Sequence, residues 1–395
     1  METSPAIQSK EKYEKESGIA AGIITGFNIK KSIEDRSVNV AFYGLDEEYV
    51  ELIKEKISSE EKVIINYDVI APSAMELSTI TKKYDMLFTW NGEVTDALSE
   101  SAEKIPSKIL ENIPRSLRNE KCVPILLNHF ELDLYKPVVD KLGLKPGENY
   151  VQFLDYLSTA KDYVFSPFFT NGGDDRTLLA LLGSFIEAEG GVTAYENFLD
   201  SLKKAESLSD VLDVELGALQ KGKKITLRSI LDMVKSWPAE GITHPQWYNG
   251  NLVDLNVFAE DNQIAAFFSN LISHRDMKYK VISNFETVRM PLLSDNVDHG
   301  LIAPAISCVL ITDNANGKKI LGSLLSMDTQ TEMAMKTMLA PVHYRAETYD
   351  IQADDVRFWA ASCAGGAMPD PALSIYQRKP EALAEMAREI RSYLR

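Results

Sequence analysis

The feature that most constrains this chain is a repeated change of hydrophobic period between residues 37 and 93. SVNVAFYG alternates and then runs apolar to Gly44, as a buried strand does. LDEEYVELIKEKISS, directly after it, repeats apolar positions at helical spacing with acids in its first turn. KVIINYDVI, SAMELSTITKKY and YDMLFTWNGE then give strand, helix and strand again, the last running into a polar loop. Strands alternating with helices of this length predict an α/β fold with a parallel sheet covered on both faces. In such sheets ligands lie beyond the carboxyl ends of the strands, which directs attention to Tyr43, Trp90, Asn91 and Glu93.

The rhythm changes after KCVPILLN, a further strand at 121–128. Residues 129–161 read as helical with a Pro-Gly break at 146 and 147, and 150–240 as mostly helical, punctuated by SPFFTNGGDD and EAEGG. Strand patterns return at KYKVISNFE and LIAPAISCVLITD, an amphipathic helix starts near Gly317 and Lys318, and 371–395 reads as a terminal helix with Pro380 near its start. A chain of 395 residues exceeds what one core usually supports, so two lobes are expected.

Composition excludes several functions. A net charge of −16 without a basic block argues against nucleic acid, whose binders need a basic face to release counterions, and against docking on anionic lipid. No sequence window reaches the roughly 18 apolar residues of a spanning helix; residues 19–27 are about half that and broken by Gly22 and Gly26. Cys122, Cys308 and Cys363 are far apart in apolar settings and read as buried small hydrophobes. There is no G-x-S-x-G elbow, P-loop, H-E-x-x-H or paired-cysteine signature, and the five histidines are widely spaced, so neither catalytic residues, a cofactor nor a metal site is expected.

From Lys121 onward the order of features resembles the family 1 extracellular solute-binding proteins, the carbohydrate receptors of bacterial ABC importers. The likeness rests on VPILLNHFELDLYKPVVDKLGLKPGENYVQFLDYLSTAK, on LLALLGSFIEAEGG, and on VFAEDNQIAAFFSN, where Asn262 and Gln263 replace the family's usual glycine before Lys-Ala-Ala. VRMPLLSD, GLIAPAISCVLITDN, GKKILGSLLSMDTQTEMAM and APVHYR complete it. The resemblance implies a two-lobed periplasmic-binding-protein-like fold (a Venus flytrap of class II topology) that closes on solute by a hinge. It places one lobe at 36–125 and 302–340, the other at 128–298 and 345–395, after a tether at 1–35. The crossings fall near Asn128, near His299 and Gly300, and near His343.

A sugar needs flat aromatic faces over its C–H side and amides or carboxylates for its hydroxyls. Trp90 with Asn91 and Glu93 supplies both; otherwise Trp90 caps the core and Asn91-Gly92 makes a tight turn. HPQWYNGN offers Trp247, Tyr248 and Asn249, or covers a neighbouring helix; TNGGDD offers Asn171 and Asp174, the latter equally an ordinary helix cap. Tyr43 is a strand-end contact or buried beside Gly44, and His299, His343, Tyr344 and Arg345 meet the solute or lock the hinge. Trp359, in a helical stretch, is core.

The expected role is capture of a small solute, a sugar or oligosaccharide, for delivery to an ABC permease by a monomeric receptor that is not an enzyme. The same fold serving a polyamine, ferric ion or peptide, and a glycoside hydrolase using two of the 58 acidic residues, are the alternatives. The polar start suggests a mature form with an added Met, held at the outer face of the cytoplasmic membrane or in the periplasm by a lipid on an upstream Cys.

Overall fold

The computed structural model describes residues 37–58, 63–72, 75–218, 223–293 and 297–395. The expected tether, residues 1–35, lies outside them.

The period changes translate directly into structure: β1 (Ser37–Tyr43), α1 (Glu47–Ser58), β2 (Ile64–Ile70), α2 (Leu77–Lys83), β3 (Met86–Trp90), α3 (Glu93–Ser99) and β4 (Cys122–Leu127). Next come β5 (Phe130–Tyr135), α4 (Lys136–Leu142), α5 (Tyr150–Ala160), β6 (Ser166–Thr170), α6 (Asp175–Lys204), α7 (Leu227–Glu240), α8 (Leu252–Glu260), β7 (Ile264–Asn270), α9 (Leu271–Arg275) and β8 (Phe285–Val288). The chain ends in β9 (Ala305–Leu310), α10 (Ala315–Leu324), α11 (Met327–Thr337), β10 (Ala340–Pro341), α12 (Ile351–Ser362), α13 (Pro371–Ile375) and α14 (Pro380–Leu394), with shorter pieces between.

Two sheets order these elements, one running β10-β4-β9-β3-β1-β2 and the other β8-β5-β7-β6. In β1, Val38, Val40 and Phe42 enter one core and Ala41 and Tyr43 enter another on the opposite face, which is why the strand is apolar almost throughout. The first sheet is mixed rather than wholly parallel. β1 pairs in parallel with β2 and β3, but β9 runs antiparallel to β3 and β4, and β10 antiparallel to β4.

Three sequence expectations need correction. Residues 130–135 form a strand, not helix: Phe130, Leu132 and Leu134 enter the second core while Glu131 and Asp133 occupy the opposite face. The spacing is two, and the acids disguise it. SPFFTNGGDD, expected only as a break between helices, contains a strand, β6, buried along its whole length. The terminal segment is two helices, α13 and α14, not one.

The seam between the cores is crossed several times. β4 lies in the first core and β5 in the second, with Asn128 and His129 between them; Phe268 belongs to the second core and Leu271 to the first. Helix α12 sends Ala353, Val356 and Ala360 into the first core, and α14 sends Met386, Ala387, Ile390 and Leu394 into the second. The longest helix, α6, is apolar and long enough to span a bilayer by length and composition, but its apolar window is 78% buried, the condition of a core helix. All three cysteines are buried and unpaired.

Candidate functional site

The β3–α3 turn is where the two lobes touch. Trp90, the last residue of β3, is only 5% exposed; Tyr49 of α1 meets its ring edge-on at 5.8 Å. The Arg176 guanidinium, from the first turn of α6, lies 5.4 Å from the Trp90 ring and 5.8 Å from that of Phe130. A cation in a first turn opposes the helix dipole and needs a compensating anion. Asp370 provides it: fully buried, it accepts from Arg176 Nε at 2.9 Å and from the backbone N–H groups of Ala372 and Leu373 at the start of α13. One carboxylate thus caps a helix and neutralises a guanidinium across an aromatic face.

A second set of bonds latches the same turn. Gln377, just past α13, donates from Nε2 to Thr89 Oγ1 at 3.0 Å and to the Trp90 carbonyl at 3.1 Å, and accepts from Val94 N–H at 3.0 Å. The Arg378 N–H donates to Glu93 Oε2 at 3.1 Å. Gly92, at φ +140°, is needed here, since a Cβ would stand 2.4 Å from the Leu373 carbonyl oxygen. Asn91 clamps the strand ends: its N–H donates to the Ala305 carbonyl and its Oδ1 accepts from Ala305 N–H, both at 2.8 Å. Beside the turn a cavity of about 280 Å³ is bordered by Asn91, Thr95, Arg118, Ser307 and Pro369.

Of the residues singled out in the sequence, Trp90, Asn91 and Glu93 share this turn. Tyr43 does not reach it; its side chain is fully buried in the satellite core with Ile70 and Leu87. Trp247 and Tyr248 are buried in the second core, while Asn249 is exposed and donates to Gln246. Their loop packs on the 171–174 loop: Arg391 donates to the carbonyls of Gly172 and Tyr248, Asp174 caps α6 through Thr177 N–H, and Asn171 accepts on its carbonyl from Asp174 N–H. His299 Nδ1 lies 2.8 Å from Glu187 Oε1, which also accepts from Gly300 N–H. His343 is buried and stacks on exposed Tyr344 at 5.4 Å, and Arg345 covers the Tyr344 ring. Trp359 is half-buried near His129.

Arg176, Asp370, Tyr49, Phe130 and Gln377 escaped the sequence reading. For Arg176 a signal existed: an arginine two residues after a capping Asp174 stands where cations are disfavoured. Asp370, in MPDP before a helix, carries no comparable signal.

A second polar constellation lies on the far face of β5. His129, Glu131 and Asp133 alternate along that face and meet His274 of α9; all four are at most 1% exposed. His274 Nδ1 is 2.9 Å from Glu131 Oε1 and 2.9 Å from Asp133 Oδ1, and His129 Nδ1 is 3.8 Å from Glu131 Oε2. Thr287 of β8 donates to Asp133 Oδ1 at 2.6 Å. Burial alone would push the His274 pKa down, but the Asp133 and Glu131 carboxylates hold it up at about 11. Burial likewise disfavours both carboxylates as anions; the imidazoles of His129 and His274 offset this for Glu131 and draw it down to about 2, whereas burial keeps Asp133 raised.

No family model matches the sequence, and no curated protein matches it. Solved structures do. The bacterial solute receptor AcbH, with an exclusive substrate preference for β-D-galactopyranose, superposes with a TM-score of 0.67 at 13% identity over 90% of this chain and 96% of its own. The binding protein MsmE from Bacillus subtilis subsp. subtilis str. 168, in an open conformation, gives 0.65 at 13% identity over 91% and 96%. RafE from Streptococcus pneumoniae, in its apo form, gives 0.59 at 11% identity over 91% and 97%. The chain has the two-lobed α/β fold of these receptors.

Proposed function

We propose that this chain is a solute receptor that captures a sugar or oligosaccharide between its lobes and presents it to an ABC permease outside the cytoplasmic membrane, without acting on it chemically. The observation that carries this reading is the meeting of Trp90, from the carboxyl end of β3, with Arg176 and Asp370 from the other lobe. An aromatic face suits the C–H side of a pyranose, and a guanidinium and a carboxylate suit its hydroxyls. In this structure Arg176 occupies the Trp90 face. Opening the lobes frees Trp90, and a sugar that replaces Arg176 there favours reclosure by its contacts to both lobes.

The lobes divide in this reading near Asn128, Asn270, the 300–304 segment and the 363–370 segment, so that α12 moves with the first lobe rather than the second. A monomer tethered by a lipid upstream of residue 1 completes the proposal. Its test is calorimetry with neutral sugars, oligosaccharides, polyamines, peptides and ferric citrate. Binding of one sugar class, weakened at least about tenfold in Trp90→Leu, is the expected result. Binding of an amine, peptide or iron instead overturns the cargo, and turnover of aryl glycosides overturns the receptor reading itself.

A further inference from the structure

We propose that Glu131, Asp133 and His274 form a binding site for one divalent transition-metal ion of the zinc type at the root of the hinge. One donor atom from each of Glu131, Asp133 and His274 lies within 4.8 Å of the others, all from buried side chains. A tetrahedral ion held at roughly 2.0–2.2 Å needs donors on the order of 3.3–3.6 Å apart, so the 2.9 Å contacts of His274 Nδ1 with both carboxylates open by a few tenths of an ångström to admit it. His129 Nδ1, 3.8 Å from Glu131 Oε2, borders the three donors rather than joining them, which leaves the fourth position of the ion to water.

The unsatisfied atoms point the same way. His129 Nδ1, both carboxylate oxygens of Glu131, Asp133 Oδ2 and His274 Nδ1 are buried without a hydrogen bond of acceptable geometry. Buried polar atoms are nearly always satisfied, and five such atoms in one spot ask for a shared partner. Charge balance identifies it. The ion displaces the proton that His274 otherwise holds; the two carboxylates and the neutral imidazole then sum to −2, which a divalent cation cancels and a water molecule does not. An imidazole nitrogen among the donors favours zinc or its neighbours over magnesium or calcium.

The surroundings are those of a supported site. Thr287 holds Asp133 and itself accepts from the Gln352 amide nitrogen, which also lies 3.0 Å from His274 Nε2, so that Gln352 ties two of the ligands together. Access exists, because His274, Thr287 and Gln352 border an open concavity of about 1230 Å³. The ligands also explain what the ion would do. Glu131 stands at the start of β5 directly after one crossing, His274 follows another at Leu271, and Gln352 belongs to α12 of the first lobe. Metal at this point joins the hinge strands to one another.

The test uses the full chain, stripped with a chelator and titrated with zinc, cobalt and magnesium salts. One zinc per chain, a Tm raised by several degrees, and intense visible absorption of the cobalt form are expected; magnesium gives none of these. Glu131→Gln/Asp133→Asn abolishes stoichiometric binding, and Gln352→Ala, which leaves the ligands in place, weakens it about tenfold to a hundredfold. His244→Ala, which removes a histidine outside the cluster, leaves binding unchanged. Zinc binding that is absent, substoichiometric, or equally strong in the Glu131/Asp133 and Gln352 variants overturns the proposal. None of these readouts involves a sugar, so the result stands apart from that of the cargo screen.

Discussion

The cleft at Trp90 and the cluster behind β5 both gather charged side chains where the lobes meet, yet they solve the burial problem in opposite ways. At the cleft the charges come in matched numbers. Arg176 answers Asp370, and Gln377 satisfies three groups of the β3–α3 turn at once. Behind β5 two carboxylates face a single strongly held imidazolium, with several donor and acceptor atoms left over. A charge-matched site opens by exchanging internal partners for a ligand of similar polarity, which suits reversible capture. An unsatisfied one holds its charges only because the chain on either side is rigid, which suits a structural ion.

This contrast breaks most visibly if the central imidazole is removed. In chelator-treated protein, His274→Ala removes the imidazolium that contacts both Glu131 and Asp133, and urea denaturation is expected to show a loss of about 3–5 kcal/mol. A loss below about 1 kcal/mol would mean that water already reaches the cluster. At the cleft, Asp370→Asn keeps an oxygen to cap α13 but leaves Arg176 without a counter-charge. Because the Arg176 side chain is 30% exposed, solvent screens part of the defect, and about 1–3 kcal/mol is expected by the same measurement. If the two losses proved equal, the distinction between a matched and an unmatched site would fall.

The two regions also differ in how far the sequence reveals them. β1 to β3 announce themselves, because a strand buried on both faces is apolar and a covering helix repeats at 3.6, so periodicity alone places Trp90, Asn91 and Glu93 at a strand end. β5 hides. In FELDLY the alternate positions are acids, whose usual place is in solvent, and a strand with buried acids on one face looks like the polar side of a helix. His274 lies far along the chain from Glu131, and only the pairing of β5 with β7 sets α9 over them. Arg176 and Asp370 are likewise brought together by the packing of α13 on α6, not by spacing. Long-range partners are written in tertiary contacts, and periodicity carries no record of them.

The smallest expected effect sharpens the comparison from the side of motion. Gln377 contributes three hydrogen bonds to the β3–α3 turn without being needed to neutralise a charge, so Gln377→Ala should cost only about 1 kcal/mol in denaturation. Its consequence for closure is larger than that figure suggests. These bonds form only when the lobes meet, so losing them shifts the population toward the open form by about fivefold per kcal/mol, read as a larger radius of gyration by small-angle X-ray scattering. Removing the latch at Gln377 therefore loosens the cleft while leaving the Glu131–His274 cluster intact, since that cluster sits on strands and helices the latch does not touch. An unchanged radius in Gln377→Ala would instead place the closing energy in the Arg176–Asp370 pair, and Asp370→Asn would then be the variant that opens.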